Sequence, residues 1–128
     1  MKIVDIKPFV VDCFRTNWVF VKVYTDEGVE GVGEATLEYK EKALVGAIEH
    51  AKEALVGKDP MRIEEHVHNL YRDAYWRGGA VLMSAISGIF AAARISGYSP
   101  APGRQQICRT GTPERNYRSW SRRESENR

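Results

Sequence analysis

Arg15, Asn17 and Trp18 fall within four positions, Tyr39 and Lys40 are adjacent, and Tyr75, Trp76 and Arg77 stand directly before Gly78. Cations, an amide and aromatic faces in this mixture suit a small polyhydroxylated anion. Each group also sits at the end of an expected element, where binding residues concentrate on loops held by a rigid scaffold. The competing reading is that Trp18 and Trp76 merely close off the core, and the residue types alone leave both open.

Other chemistry-bearing residues read as less specific. His50, His66 and His68 are the only histidines. The last two are two apart on an expected helix, so they face different ways and do not chelate one metal together; all three read as solvated surface residues. Glu34 and Glu38 straddle the end of a hairpin and Glu64 and Glu65 lie in a helix, an arrangement expected of a solvated face. Cys13 and Cys108 are far apart without a CxxC partner, which fits free thiols in a reducing compartment. No P-loop, GxGxxG, HExxH or GxSxG motif occurs.

The elements that must position these residues follow from periodicity. Residues 17–35 predict a β-hairpin: Val19, Val21 and Val23 alternate with Trp18, Phe20, Lys22 and Tyr24, and a second run spans 29–35. Asp26, Glu27 and Gly28 supply the turn, with Gly28 at positive φ. Gly31 and Gly33 inside the second strand imply a bulge or the close approach of another backbone. Residues 2–13 predict a first strand, with Val4, Ile6 and Val10 on one side and Ile3, Phe9 and Val11 on the other. Pro8, lacking an N–H, makes it a flanking strand.

After Ala35 the period becomes helical. Leu44, Ala47, Ile48, Ala51 and Leu55 line one face of a helix of about four turns that Gly57 and Lys58 stop. Asp59 as N-cap and Pro60 at the first helical position start a second helix, with Ile63, Val67, Leu70, Tyr71 and Ala74 inward and an end near Trp76. After Gly78 and Gly79 comes a third, with Leu82, Ala85, Ile86 and Ile89 inward. Strands first and helices after predict an α+β fold, a three-stranded antiparallel meander followed by a helical bundle.

The balance of 43% hydrophobic and 28% charged residues is that of a soluble globular domain. Charges at Lys2, Asp5 and Lys7 interrupt the apolar stretch an export signal needs, and no run of 18 apolar residues exists. The expectation is a cytoplasmic protein with no membrane span. The net charge of +2 is unevenly spread: residues 1–89 carry −3 and residues 90–128 carry +5. The latter hold eight arginines and no Leu, Val, Lys or Asp. The expected organisation is a folded domain over 1–89, its third helix extending to about 95, and a disordered Arg/Ser-rich tail over 96–128.

The segments NWVFVKVYTDEGVEGVGEATLEYKE and LVGKDPMRIEEHVHNLYRDAYWRGGAVLMSAISGI resemble the N-terminal capping domain of the mandelate racemase and muconate lactonizing branch of the enolase superfamily. Among its members they are most similar to acid-sugar dehydratases of the galactonate, gluconate and mannonate type. The resemblance implies a cap that closes over a (β/α)₇β barrel and supplies the specificity pocket. It places Arg15, Asn17 and Trp18 in the first loop, with Asn17 at a position that contacts the sugar acid in mannonate-type members. Tyr39 and Lys40 belong to the second loop, and Trp76 and Arg77 lie near its base. It further implies that the Mg²⁺ ligands and the acid/base residues stand on barrel strands, so that this chain carries no catalytic residue and no metal of its own. The family is typically homo-oligomeric.

Beyond MSAISGI this sequence leaves the family pattern. Three functions follow as expectations. The first is a capping domain whose reading frame breaks near residues 88–90, with no turnover alone and with sugar acid bound only together with a barrel. The second is a small nucleic-acid-binding protein using the arginine-rich tail, with Tyr98, Tyr117 and Trp120 to stack on bases. It is disfavoured because the folded part is acidic. The third is a module that assembles with a separately encoded barrel.

Overall fold

A computed structural model of the chain describes residues 1–72 and 75–97, the last three by their backbone alone. Strands β1 (Ile3–Cys13), β2 (Thr16–Thr25) and β3 (Glu30–Glu34) precede helices α1 (Glu41–Leu55), α2 (Ile63–Arg72) and α3 (Ala80–Gly97). The strands form one antiparallel sheet in the order β1-β2-β3, which is the expected α+β meander with helices following. From residue 98 on, the expected tail lies outside the described residues, as does Ala74.

The central strand follows the alternation closely: Val19, Val21 and Val23 are completely buried, whereas Phe20, Lys22 and Tyr24 are half-buried on the opposite face. The hairpin turn is closed by Thr25, whose N–H donates to the Val29 carbonyl at 3.1 Å and whose Oγ1 donates to the same oxygen at 2.7 Å. Gly28, at φ 76°, makes the left-handed step that returns the chain. Pro8 lies on the edge strand opposite Val21, as its missing N–H requires.

The first strand departs from simple alternation. A β-bulge between Ile3 and Asp5 shifts the register, so Ile3 joins Ile6 and Val10 inside, and Val4, expected on the side of Ile6 and Val10, is 50% exposed. The extra residue changes the phase, which strict period-2 counting does not anticipate. Gly57 and Lys58 then clip the end of α1 to this edge: Ile3 N–H donates to the Lys58 carbonyl at 2.9 Å and Gly57 N–H to the Ile3 carbonyl at 2.8 Å.

Helix α1 buries Leu44, Ile48, Ala51 and Leu55 against the sheet. Helix α2 starts later than expected, at Ile63. The Asp59 carboxylate does accept a backbone N–H, from Met61 at 2.9 Å, but it caps a turn, and Arg62 supplies the carbonyl that His66 N–H reaches at 3.1 Å. The described part of α2 ends at Arg72, Tyr71 is 40% exposed, and Trp76 lies beyond the helix.

His66 is not a surface residue. It is 2% exposed, because it occupies the i+3 place in the inward stripe Ile63, His66, Val67 and Leu70. Its Nε2 lies 2.7 Å from the Asp59 carbonyl oxygen and must carry the proton there, since a carbonyl only accepts. The ring stacks on Phe90 at 6.3 Å. His50 and His68 are exposed, as expected.

Helix α3 lies across β3 and β2 and continues past residue 89 with Phe90, Ala92 and Ala93 buried in the same core. Its seat is made by two glycines. A Cβ on Gly33 would stand 2.1 Å from the Gly88 carbonyl oxygen, and one on Gly88 would stand 2.4 Å from the Ala35 Cβ. Of the two uses expected for glycine in β3, Gly33 serves the close approach of a backbone.

A charged group ties β1 to α1. Partial burial alone would raise the Asp5 pKa, but the Lys52 ammonium against the carboxylate, the Ile6 N–H at 2.9 Å and Lys7 outweigh it and hold the carboxyl below its ordinary value. A lowered folded-state pKa stabilises the fold above the unfolded value of about 3.9, and that contribution is lost as pH falls through the folded value. In Lys52→Ala the Asp5 carboxyl is therefore expected to titrate at higher pH, followed by carbon-detected NMR; an unchanged titration would remove Lys52 as the cause.

Candidate functional site

Two chain segments meet at one end of the sheet, and the start of α3 points toward the same end. The β1–β2 connection is a tight turn with Phe14 and Arg15 exposed at its tip, followed by the pairs Cys13 with Thr16, Asp12 with Asn17 and Val11 with Trp18. The second segment leaves β3 beside the same stretch: Ala35 N–H donates to the Val19 carbonyl at 2.8 Å, and Val19 N–H donates to Thr36 Oγ1 at 3.1 Å. Residues 37–40 then turn into α1, with Lys40 N–H on the Leu37 carbonyl at 3.2 Å.

The third segment precedes α3. Gly33 faces Gly88 and Ala92 while Ala35 faces Gly88, so descending α3 from 92 to 88 follows β3 toward its end. The helix start therefore points the same way as the β1–β2 turn. Eight residues from Gly88 to Ala80 rise roughly 12 Å, and three strand residues from Val19 to Thr16 span roughly 10 Å. Tyr75, Trp76 and Arg77 precede that helix start.

Tyr39 holds φ 60° and is the only non-glycine residue at positive φ among the described residues. A bulky side chain in that region is strained, and such strain gathers at functional sites. Tyr39 is 76% exposed, Trp76 85% and Tyr75 90%, and the last two meet edge to face with ring centroids 5.4 Å apart. Arg15, Lys40 and Arg77 are exposed as well.

Asn17 and Trp18 lie on opposite faces of the sheet. Asn17 shares the parity of Val19 and so lies on the helix-covered side of the sheet, half-buried, whereas Trp18 lies on the opposite side, 6.0 Å from Phe20. Arg15, Asn17 and Trp18 thus lie at the β1–β2 end of the sheet, Asn17 and Trp18 on opposite faces, and Tyr39 and Lys40 follow the strand end beside them. Two neighbours were missed. Asp12 pairs with Asn17 on the same side of the sheet, which counting back across the two-residue turn would have found, and Thr36 acts through a hydroxyl whose partner no sequence pattern announces. Among the described residues, no group of three or more His, Cys, Asp or Glu could hold a metal ion.

Residues 5–94 match the family described as mandelate racemase / muconate lactonizing enzyme, N-terminal domain. The chain belongs to this family. A D-galactonate dehydratase family member RspA from Halomonas elongata is 53% identical over 74 residues, 57% of this chain and 18% of the relative. The D-galactonate dehydratase of Variovorax paradoxus is 46% identical over 73 residues, 57% of this chain and 19% of its own length. Among solved structures, an enolase from Pantoea ananatis with bound D-gluconate and Mg superposes with a TM-score of 0.70 at 36% identity, covering 75% of this chain and 24% of that one. The chain spans about a fifth of the length of these curated relatives. The mandelate racemase / muconate lactonizing enzyme N-terminal fold, a three-stranded antiparallel sheet followed by three helices, is the one observed. Its sheet-end rim in this chain is the candidate site. No helix among the described residues is long and apolar enough to cross a membrane.

Proposed function

We propose that this domain is the substrate-specificity cap of a Mg²⁺-dependent acid-sugar dehydratase, and that its rim residues contact the sugar acid once a barrel lies beneath them. The observation that carries the reading is the family match over residues 5–94, in a chain whose relatives include D-galactonate dehydratases; Arg15, Asn17, Tyr39, Lys40, Trp76 and Arg77 are the rim residues assigned to it. The cationic groups orient the substrate carboxylate, Asn17 offers both a donor and an acceptor to hydroxyls, and the aromatic faces exclude water. The described residues do not fit a Mg²⁺ ion, which takes carboxylates and water in near-octahedral geometry. The metal, the general acid and the general base belong to the barrel, and these 128 residues are cytoplasmic and inactive by themselves. A frame break in codons 88–94 accounts for the change of sequence character that follows, since the family match ends at residue 94.

The test is direct. The purified chain with Mg²⁺ is expected to leave galactonate, gluconate and mannonate unconverted. Conversion of any of them, abolished by EDTA, would overturn the assignment of the chemistry to a separate barrel. Sequencing the encoding DNA across codons 85–130 checks the frame break, which predicts barrel-like strands in the shifted frame.

A further inference from the structure

The first and second segments of the rim are joined by one backbone bond and by the side chain of Thr36. Val19 and Ala35 are directly opposed, continuing the register Phe20 with Glu34 and Val21 with Gly33. In a hydrogen-bonded antiparallel pair each residue gives its N–H to the other's carbonyl. Here only half of that exchange involves Ala35: its N–H reaches the Val19 carbonyl at 2.8 Å. The Val19 N–H goes instead to Thr36 Oγ1 at 3.1 Å. A threonine hydroxyl stands where a backbone carbonyl would have stood.

The substitution has two consequences. It ends β3 at Glu34, because the peptide after Ala35 is free to turn away, and residues 37–40 make the turn that holds Tyr39 at φ 60°. It also keeps Val19, a completely buried residue, from carrying an unpaired N–H. Val19 is two residues from Asn17 on the same side of the sheet, and Thr36 is three residues from Tyr39. The bond therefore fixes the departure of the Tyr39 and Lys40 turn against the strand that presents Asn17.

We propose that Thr36 is a positioning residue, whose hydroxyl sets the Tyr39 and Lys40 turn relative to Asn17 and so fixes the spacing of the specificity rim. This rests on the rim being the substrate-facing end, but its test needs neither substrate nor barrel, so the two readings fail separately. Thr36→Val keeps the side-chain shape and removes the acceptor, and Thr36→Ser keeps the acceptor. Amide exchange and ¹⁵N-correlated NMR of the full 128-residue chain read the outcome. In Thr36→Val the Val19 amide is expected to exchange about tenfold faster, as loss of one intramolecular hydrogen bond implies. The Tyr39 and Lys40 signals shift, while those of Leu44, Ile48 and Leu55 in α1 stay in place. Thr36→Ser is expected to restore both the protection and the shifts. Unmoved Tyr39 and Lys40 signals in Thr36→Val, or Thr36→Ser behaving like Thr36→Val, would overturn the proposal. So would collapse of the whole Thr36→Val spectrum, because the hydroxyl would then support the fold rather than the turn.

Discussion

Gly33→Ala is expected to destabilise the domain by about 3 kcal/mol, the upper part of the range for overpacking a filled interior. The added methyl would meet the Gly88 carbonyl oxygen at 2.1 Å and the Ala92 nitrogen at 2.7 Å. Both are backbone atoms of a regular helix, so no side chain can rotate aside to relieve the contact. Helix α3 would have to lift from β3, and Ala85, Ile89 and Ala92, all now fully buried, would lose contacts along that seam. Gly88→Ala meets Ala35 from the opposite side, at 2.4 Å from its Cβ and 3.0 Å from its Cα, and is expected to behave alike. Gly46→Ala is the control. That glycine lies in α1 with nothing within 4 Å of an added Cβ, so alanine is expected to stabilise by about 0.5–1 kcal/mol through the helical backbone alone. Urea midpoints at constant slope measure all three. A Gly33→Ala midpoint equal to that of the parent would show that the two backbones are not in contact.

The same pair of elements shows what could and could not be read beforehand. A strand glycine signals either a bulge or a close approach, and only the partner helix decides between them. Sequence names Gly33 without naming Gly88 as its reason. The valines of β2 were legible because a central strand buried on one face imposes strict alternation. Val4 was not, because the bulge beside it changes phase through a backbone conformation that no side chain encodes. His66 shows how residue type misleads: its helical spacing marks an inward position, and the polarity of histidine argued against it. The structure resolves the conflict by giving Nε2 a carbonyl partner from the turn that precedes the helix. The rim was legible as a set of residues at element ends. That the segment before α3 is directed toward the β1–β2 turn follows from the direction of α3 over β3, a tertiary fact, and the separation of Trp18 from Asn17 follows from parity.

That separation yields the sharpest functional expectation. Residues 1–94 can be grafted in place of the matching segment of the Variovorax paradoxus D-galactonate dehydratase, whose aligned part is 46% identical over 73 residues. In such a chimera Arg77→Ala and Asn17→Ala are each expected to lower kcat/KM for galactonate by roughly 10- to 100-fold. Hydrogen bonds to a charged partner contribute about 1.5–3 kcal/mol, and unpaired polar groups on the substrate cost a similar amount. Trp18→Ala is expected to stay within about twofold, because its ring stands on the outer face beside Phe20, on the opposite side of the sheet from Asn17. The comparison is internal to one strand: two adjacent residues, both beside the β1–β2 turn, separate by about an order of magnitude or more if the helix-covered side is the substrate side. Assays are run well below the unfolding midpoint of each variant, so that loss of folded protein does not imitate loss of contact. Equal effects at Asn17 and Trp18 would mean that the outer face also borders the substrate, and an effect at Trp18 alone would place the site on the wrong side of the sheet.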